Sequence, residues 1–240
     1  MAVTSITETK NGKGSTGSQT AWSTARNATT ANATVYTSAF SQPSAIEVYR
    51  SSRGSLVYGV TRTFFFFDLS SLPAGDIISA IDLKIQGFGS GLTGDGNVRV
   101  ARATAFGGDG TSTYTATDFD NWSPSSPTPY ASNLSTWNNA AINTITLNST
   151  AISDANTNGY LNLVLVDNLY DYPDTSPTSD GFNTNGIKFL SPTTSEENRV
   201  TVTHAAAPGW EDIINGVPLK NQFKINGVLI ADIGSVNGTS

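Results

Sequence analysis

The chain has 240 residues, no cysteine, a formal net charge of −6 and a pI near 4.6. The missing thiols exclude disulfides, thiolate catalysis and zinc–thiolate sites, and the acidic balance without a Lys/Arg cluster argues against nucleic-acid binding through phosphate neutralisation. Charged residues make up only 13% of the sequence, about half the usual share near 25%, and Ser, Thr, Asn and Gly replace them, which suits strands with neutral outer faces joined by tight turns.

In chain order, Met1–Thr7 has neither a charged n-region nor an apolar h-region, so no secretory signal is expected. No apolar run approaches the roughly 20 residues of a membrane span, so no membrane partner is expected. An extracellular-type composition without an export signal predicts a fragment, or a protein released by a route such as cell lysis. Residues 9–34 are rich in Gly, Ser, Thr and Asn with Trp22 as the only large anchor, and predict short strands and loops at a sandwich rim.

Strands follow at 45–50 and 56–67. The second ends in Phe64-Phe65-Phe66-Phe67, apolar on both faces, as an interior strand of a packed sandwich requires. Leu72-Pro73-Ala74-Gly75 predicts a turn into a strand at 77–88, where Ile81, Leu83 and Ile85 alternate with Asp82, Lys84 and Gln86 in the half-buried pattern. Further strands are expected at 97–104, 142–148, 160–167, 186–190 and 199–204, with turns such as Gly94-Asp95-Gly96-Asn97 and Asn185-Gly186 between strands. Residues 149–158 predict one short helix, capped by Asn148 or Ser149 and stopped by Asn158-Gly159. Two irregular segments, 105–141 and 168–185, are long enough to be functional or packed on themselves.

The expected architecture is all-β: a jelly-roll-like antiparallel sandwich over residues 1–204 with at most one short helix, and a core containing Phe64, Phe65, Phe66, Phe67, Ile81, Leu83 and Ile85. Ala205–Gly209 reads as a linker, and 210–240 as a tail of turn repeats. There Ile214-Asn215-Gly216-Val217, Ile225-Asn226-Gly227-Val228 and Val236-Asn237-Gly238-Thr239 recur every 11 residues. Asn-Gly favours a type I′ turn, and an apolar residue on each side lets a strand enter and leave it. Too short to hold a core, the tail is expected to dock on a partner or on sister copies.

The run Arg62-x-Phe64-Phe65-Phe66-Phe67-Asp68-Leu69-Ser70-Ser71-Leu72-Pro73-Ala74-Gly75, followed by Ile78-Ser79-Ala80-Ile81-Asp82-Leu83, resembles the DNRLRE-type β-sandwich, a module similar to jelly-roll carbohydrate-binding modules. Ser195-Glu196 before Val200-Thr201-Val202-Thr203-His204 matches that family's closing strand, with His204 where an aromatic is usual. The likeness covers roughly residues 40–204, and the first 30 residues match only loosely. The Ile-Asn-Gly-Val tail is similar to C-terminal segments of tailed-phage structural proteins. Both likenesses imply a virion protein, although a fold does not fix a function.

For catalysis, the only histidine is His204, read as a strand-end surface residue, and no Gly-x-Ser-x-Gly elbow precedes a helix. A pair of acids for glycoside hydrolysis stays open among 19 Asp and Glu residues, most of them in turn contexts. No enzyme activity and no cofactor are expected, apart from a candidate structural calcium on Asp118, Asp120, Asp167, Asp171 or Asp174; jelly-roll modules of the resembling class often carry such an ion. Trp122, Tyr130 and Trp137 in one long loop, with Tyr170 and Tyr172 in the other, are candidate glycan platforms; equally, they could pin their own loops to the sandwich. The resulting expectation is a non-enzymatic phage protein on the virion surface, as capsid decoration, fibre or tail-associated module, whose partners are other virion proteins and copies of itself. The alternative is an adhesive module for host-surface glycans.

Overall fold

The computed structural model describes residues 1–35, 44–51, 55–88, 97–178, 181–189, 198–207, 224–225 and 228–229. In chain order the elements are β1 (Ala2–Thr7), β2 (Lys10–Ser15), α1 (Trp22–Arg26), β3 (Asn32–Val35), β4 (Ser44–Ser51), β5 (Val57–Asp68), β6 (Asp76–Gln86), β7 (Val98–Arg102), a 3-10 turn (Ala116–Asp120), β8 (Ile142–Thr146), α2 (Ser149–Asn158), β9 (Tyr160–Asp167), β10 (Gly181–Phe189), β11 (Asn198–Ala206), and the two-residue strands β12 (Lys224–Ile225) and β13 (Val228–Leu229). All strand pairings are antiparallel. One sheet runs β1-β11-β6-β8; the other runs β10-β4-β5-β2-β3, with β9 on β5 and β7 on β9. The chain is an antiparallel β-sandwich.

Strand β5 organises the larger sheet. Residues 61–66 pair with β2, while β4 takes 57–61 and β9 takes 63–68 on the opposite edge. Such a strand meets backbone on both edges, and its pleat sends side chains to both faces. Phe65 and Phe67 face the other sheet and pack with Ile81, Leu83, Ile85, Val200 and Val202. Phe64 and Phe66 face outward, yet are equally buried, beneath Phe106, Tyr114 and Trp122. The segment after β7 therefore forms a third layer over the sandwich, and the four phenylalanines serve two cores. The seven predicted core side chains are all buried.

The N-terminal segment is more than a rim. β1 pairs with β11 over six residues, and β2 lies inside the larger sheet between β3 and β5. Its sequence, Lys10-Asn-Gly-Lys-Gly-Ser, shows no apolar alternation because loop rings supply its outer face. A methyl group on Gly12 would sit 2.2 Å from Tyr114 Cγ, so only hydrogen fits there. A second helix, α1, also appears; Trp22 meets Tyr58 edge-on at 6.2 Å and Ala25 is buried beside Val48 and Val60. Five residues are too few to show helical periodicity.

Helix α2 has the expected bounds. The Asn148 side chain accepts the Ala151 N–H, and Gly159 closes the helix at φ +73°, where a side chain would be strained. Asn156 ties it to β6 by accepting the Ile78 N–H at 2.8 Å and donating to its carbonyl at 3.0 Å.

Two boundaries change at the C-terminal end. β11 continues through Ala205 and Ala206, which pair with Ile77 and Asp76, so the sandwich extends into the segment read as a linker. His204 is 2% exposed rather than on the surface, and its ring bonds to Thr4 Oγ1 and to Asp76 Oδ2. In the tail, Ile225 pairs with Val228 and Lys224 with Leu229. Ile214, Asn215, Gly216, Val217, Asn226, Gly227, Val236, Asn237 and Gly238 lie outside the described residues, as do Ser195, Glu196 and the turn at 94–96.

Candidate functional site

The aromatic residues singled out in the long loops do not form a platform. Trp122 is buried on the outer face of the large sheet, with the guanidinium of Arg62 at 4.9 Å and that of Arg26 at 5.9 Å from its ring centre. Tyr130 is buried in the inter-sheet core, and Trp137 is half-buried against Phe189 at 6.3 Å. Tyr170 packs beside Phe119, and Tyr172 lies 6.4 Å from Trp122 with Arg99 4.7 Å from its ring centre. These five side chains hold their loops against the sandwich.

Four of the five candidate calcium ligands are engaged by other groups of the chain. Asp118 caps the 3-10 turn, accepting from the Thr115 N–H at 2.8 Å and from Asn121 Nδ2 at 2.7 Å. Asp167 accepts the Leu169 and Tyr170 N–H groups at 2.9 and 2.6 Å. Asp171 takes a two-pronged bond from Arg62, Nε to Oδ2 at 2.8 Å and Nη2 to Oδ1 at 2.7 Å. Asp174 accepts from Trp22 Nε1 at 3.0 Å. Among the described residues, no three His, Cys, Asp or Glu side chains converge on a point that could hold a metal.

Asp120 is different. Burial raises its pKa, and the attraction of Arg62 and Arg26 only partly offsets this. A carboxyl whose pKa is higher folded than unfolded is a liability when ionised, so the cost is present at neutral pH and disappears as pH falls below both values. Replacing Asp120 by Asn is therefore expected to raise the unfolding midpoint at pH 7. That gain should shrink steadily in urea titrations repeated between pH 6 and pH 3, and a gain independent of pH would contradict the assignment.

The side chains that do converge lie near the start of β9. A recess of about 320 Å³ opens between the end of β7, the C-terminal half of α2 and the start of β9. Arg102, Tyr130, Asp154, Asn158, Tyr160 and Asn162 line it. Arg102 donates from Nε to Asp154 Oδ2 at 2.8 Å and forms an ion pair through Nη2, while the Tyr130 hydroxyl donates to the same oxygen at 2.6 Å. Burial lowers the Arg102 pKa, but its bonds to Tyr130 and Asp154 outweigh this and hold it above the ordinary value. Burial, with the bond to Asp154 next, lifts the Tyr130 phenol well above its usual range, so it remains a donor.

On the facing wall, Tyr160 stacks on Phe66 with ring centres 5.1 Å apart. Asn162 Nδ2 donates to the Ala105 and Gly108 carbonyls at 2.6 and 3.1 Å, which fixes the amide. The Asn162 Oδ1 is buried and has no partner.

Little of this recess was marked in the sequence. Tyr130 was singled out for its ring, whereas its hydroxyl supplies the polar contact. Arg102 and Asp154 are 52 residues apart, and no motif joins them. The available signal was Arg102 itself, a cation ending a short strand that also carries Arg99, with an acid in the middle of the predicted helix.

A scan against protein-family models finds no match for this chain, and a comparison with curated proteins finds none either.

Proposed function

We propose that the chain is a non-enzymatic structural protein of a tailed-phage particle, displayed on the particle surface as capsid decoration, fibre or tail-associated module. The sandwich is the displayed part and residues 210–240 attach it to other virion proteins or to sister copies. The observation that carries this reading is the pairing of Ile225 with Val228 and of Lys224 with Leu229. The second Asn-Gly repeat thus has the strand pairing its sequence predicts, beyond a last sandwich strand that ends at Ala206. A strand pair of this kind suits attachment by strand addition. The resemblance of residues 40–204 to the DNRLRE-type sandwich, and of the tail to phage structural proteins, points the same way.

The alternative, adhesion to a host glycan through the loop aromatics, has weaker support because those rings are engaged in the cores. Deleting 210–240 tests the leading reading. The truncated chain is expected to unfold with the cooperativity and midpoint of the full chain, yet to be missing from purified particles and to lose self-association in sedimentation velocity. Loss of the sandwich itself, or normal incorporation of the truncated chain, would refute attachment through the tail.

A further inference from the structure

Strand β1 is held firmly along one edge and left open along the other. Its inward side chains are fixed: Ile6 is buried in the inter-sheet core, and Thr4 Oγ1 bonds to the ring of the buried His204 at 2.9 Å. The register aligns Ala2 with His204 and Thr7 with Arg199, and the Glu8 N–H donates to the Asn198 carbonyl at 3.5 Å in continuation of it. Bonded pairs alternate along an antiparallel ladder, so Ala2, Thr4 and Ile6 bond to β11 while Val3, Ser5 and Thr7 aim N–H and C=O at the outer edge. Among the described residues, no backbone group meets that edge.

Sheet edges are commonly blunted by a charge, a proline or a bulge. Ala2–Thr7 carries no charge and no proline, and its register with β11 is unbroken. The surface beside it is apolar at one end: Val3 is 65% exposed, and Ile77, on the same outer face of the sheet, is 49% exposed. The other edges are less open. β3 has four residues, β10 carries Lys188 and a register shift between Gly181 and Asn185, and β7 is already bonded by Tyr130 and Leu134. The nearest rival is β8, five residues long, with Ile142, Thr144 and Thr146 at its exposed positions.

The chain itself supplies strands to fill that edge. β12 and β13 lie beyond the sandwich and, among the described residues, pair only with each other. Residues 207–223, which separate them from β11, span at most roughly 50 Å when extended. The β1 edge of the same chain is therefore within reach, yet β12 and β13 do not pair with it. Two strands of two residues each are marginal alone, and a third strand alongside adds the backbone bonds they lack. Ile225, Val228 and Leu229 are apolar residues, as are Val3 and Ile77 beside the edge. We infer that the outer edge of β1 accepts the β12–β13 pair of a sister copy, with Val3, Ser5 and Thr7 supplying the bonding groups. This rests on attachment through the tail and names the surface the tail uses. Such a contact is heterologous: the tail of one copy joins β1 of the next, so the copies close into a ring or continue as a filament.

The chain has no cysteine, so thiols can be introduced one at a time. Full-length Ser5→Cys and Val228→Cys chains, mixed and oxidised gently in air, are expected to form a disulfide-linked mixed dimer. Its yield should be at least tenfold that from Thr144→Cys, on the β8 edge, mixed with Val228→Cys. Two further full-length variants block the edge from its solvent side: Ser5→Pro deletes an outward N–H, and Val3→Lys adds a charge. Each is expected to weaken self-association at least tenfold in sedimentation velocity while the unfolding midpoint stays close to that of the parent. Equal cross-linking at the two edges, or undiminished self-association in both edge variants, would overturn the inference. If deleting 210–240 abolishes self-association and the edge variants do not, the tail attaches elsewhere and only the β1 assignment fails. If the deletion leaves self-association intact, the attachment reading fails with it. Cross-linking found only within single chains of a Ser5→Cys, Val228→Cys double variant would show the tail folding back on its own β1, and would overturn the assignment to a sister copy.

Discussion

Replacing Arg62 by Ala is expected to destabilise the protein by about 3–5 kcal/mol, the usual cost of leaving one partner of a buried ion pair alone. Arg62 is fully buried and makes four hydrogen bonds: two to Asp171, one to the Phe119 carbonyl at 3.1 Å and one to the Arg26 carbonyl at 2.6 Å. Its guanidinium also lies over the rings of Phe119 and Trp122. Removing it leaves the Asp171 carboxylate with only the longer 3.7 Å ion pair to Arg26, and takes the donor from two carbonyls that lie away from water. Asp171→Ala should cost a similar amount, since Arg62 is then the orphan. The Arg62→Met, Asp171→Leu double variant, which removes both charges and keeps apolar volume, should recover most of the loss. Urea unfolding of the four proteins gives the comparison directly. Additive losses in the double variant would show that the two side chains do not act as a unit.

The expected effect is large because this cluster joins segments far apart in the chain. Arg62 belongs to β5, Arg26 to the end of α1, Phe119 to the 3-10 turn and Asp171 to the loop after β9. Arg26 extends the reach further, donating to the Asp171 carbonyl at 3.0 Å and to the Pro124 carbonyl at 2.7 Å. Hydrogen bonds from these two arginines act together with the buried loop aromatics to fix these loops. A chain with no disulfide and a low charge content thereby orders two long loops.

The sandwich was legible because its strands carry local burial patterns: β6 alternates buried and open side chains, and β9 and the end of β5 are near-continuous apolar runs buried on both faces. The cap at Asn148 and the stop at Gly159 are equally local signals, which is why α2 could be bounded to the residue. What stayed hidden depends on pairings across the chain. β2 has glycines where the rings of Tyr114 and Phe119 must lie, so its apolar partners are about a hundred residues away. The two irregular segments were recognisable as ordered from their aromatics, but not as a layer over the sheet. Asp171 read as a metal ligand in isolation, because nothing local indicates that Arg62, 109 residues earlier, already occupies both its oxygens. The recess failed for the same reason: α2 and β7 each carry one half of its charge pair.

Phe65→Ala and Phe64→Ala are each expected to cost about 3–5 kcal/mol, but to loosen different parts of the molecule. Phe65 stands between the sheets, with Phe189 at 5.9 Å and Phe67 at 6.2 Å. Its loss leaves a cavity in the layer that joins the two sheets, and all later steps of unfolding share that cost. Phe64 stands on the opposite face, 5.2 Å from Tyr114, which in turn lies over Gly12. Its loss removes the floor under the 103–128 layer, whereas the contacts between the sheets stay whole. Hydrogen exchange separates the two outcomes. In Phe64→Ala the amides of Thr104, Ser112 and Trp122, which bond within that layer at 2.7, 3.1 and 2.8 Å, should exchange much faster while those of β6 and β11 change little. In Phe65→Ala the amides of β6 and β11 should accelerate together with the rest, in step with the loss of global stability. Uniform acceleration in both variants would mean that the loop layer and the sandwich open as one unit, and that the quartet serves a single core rather than two.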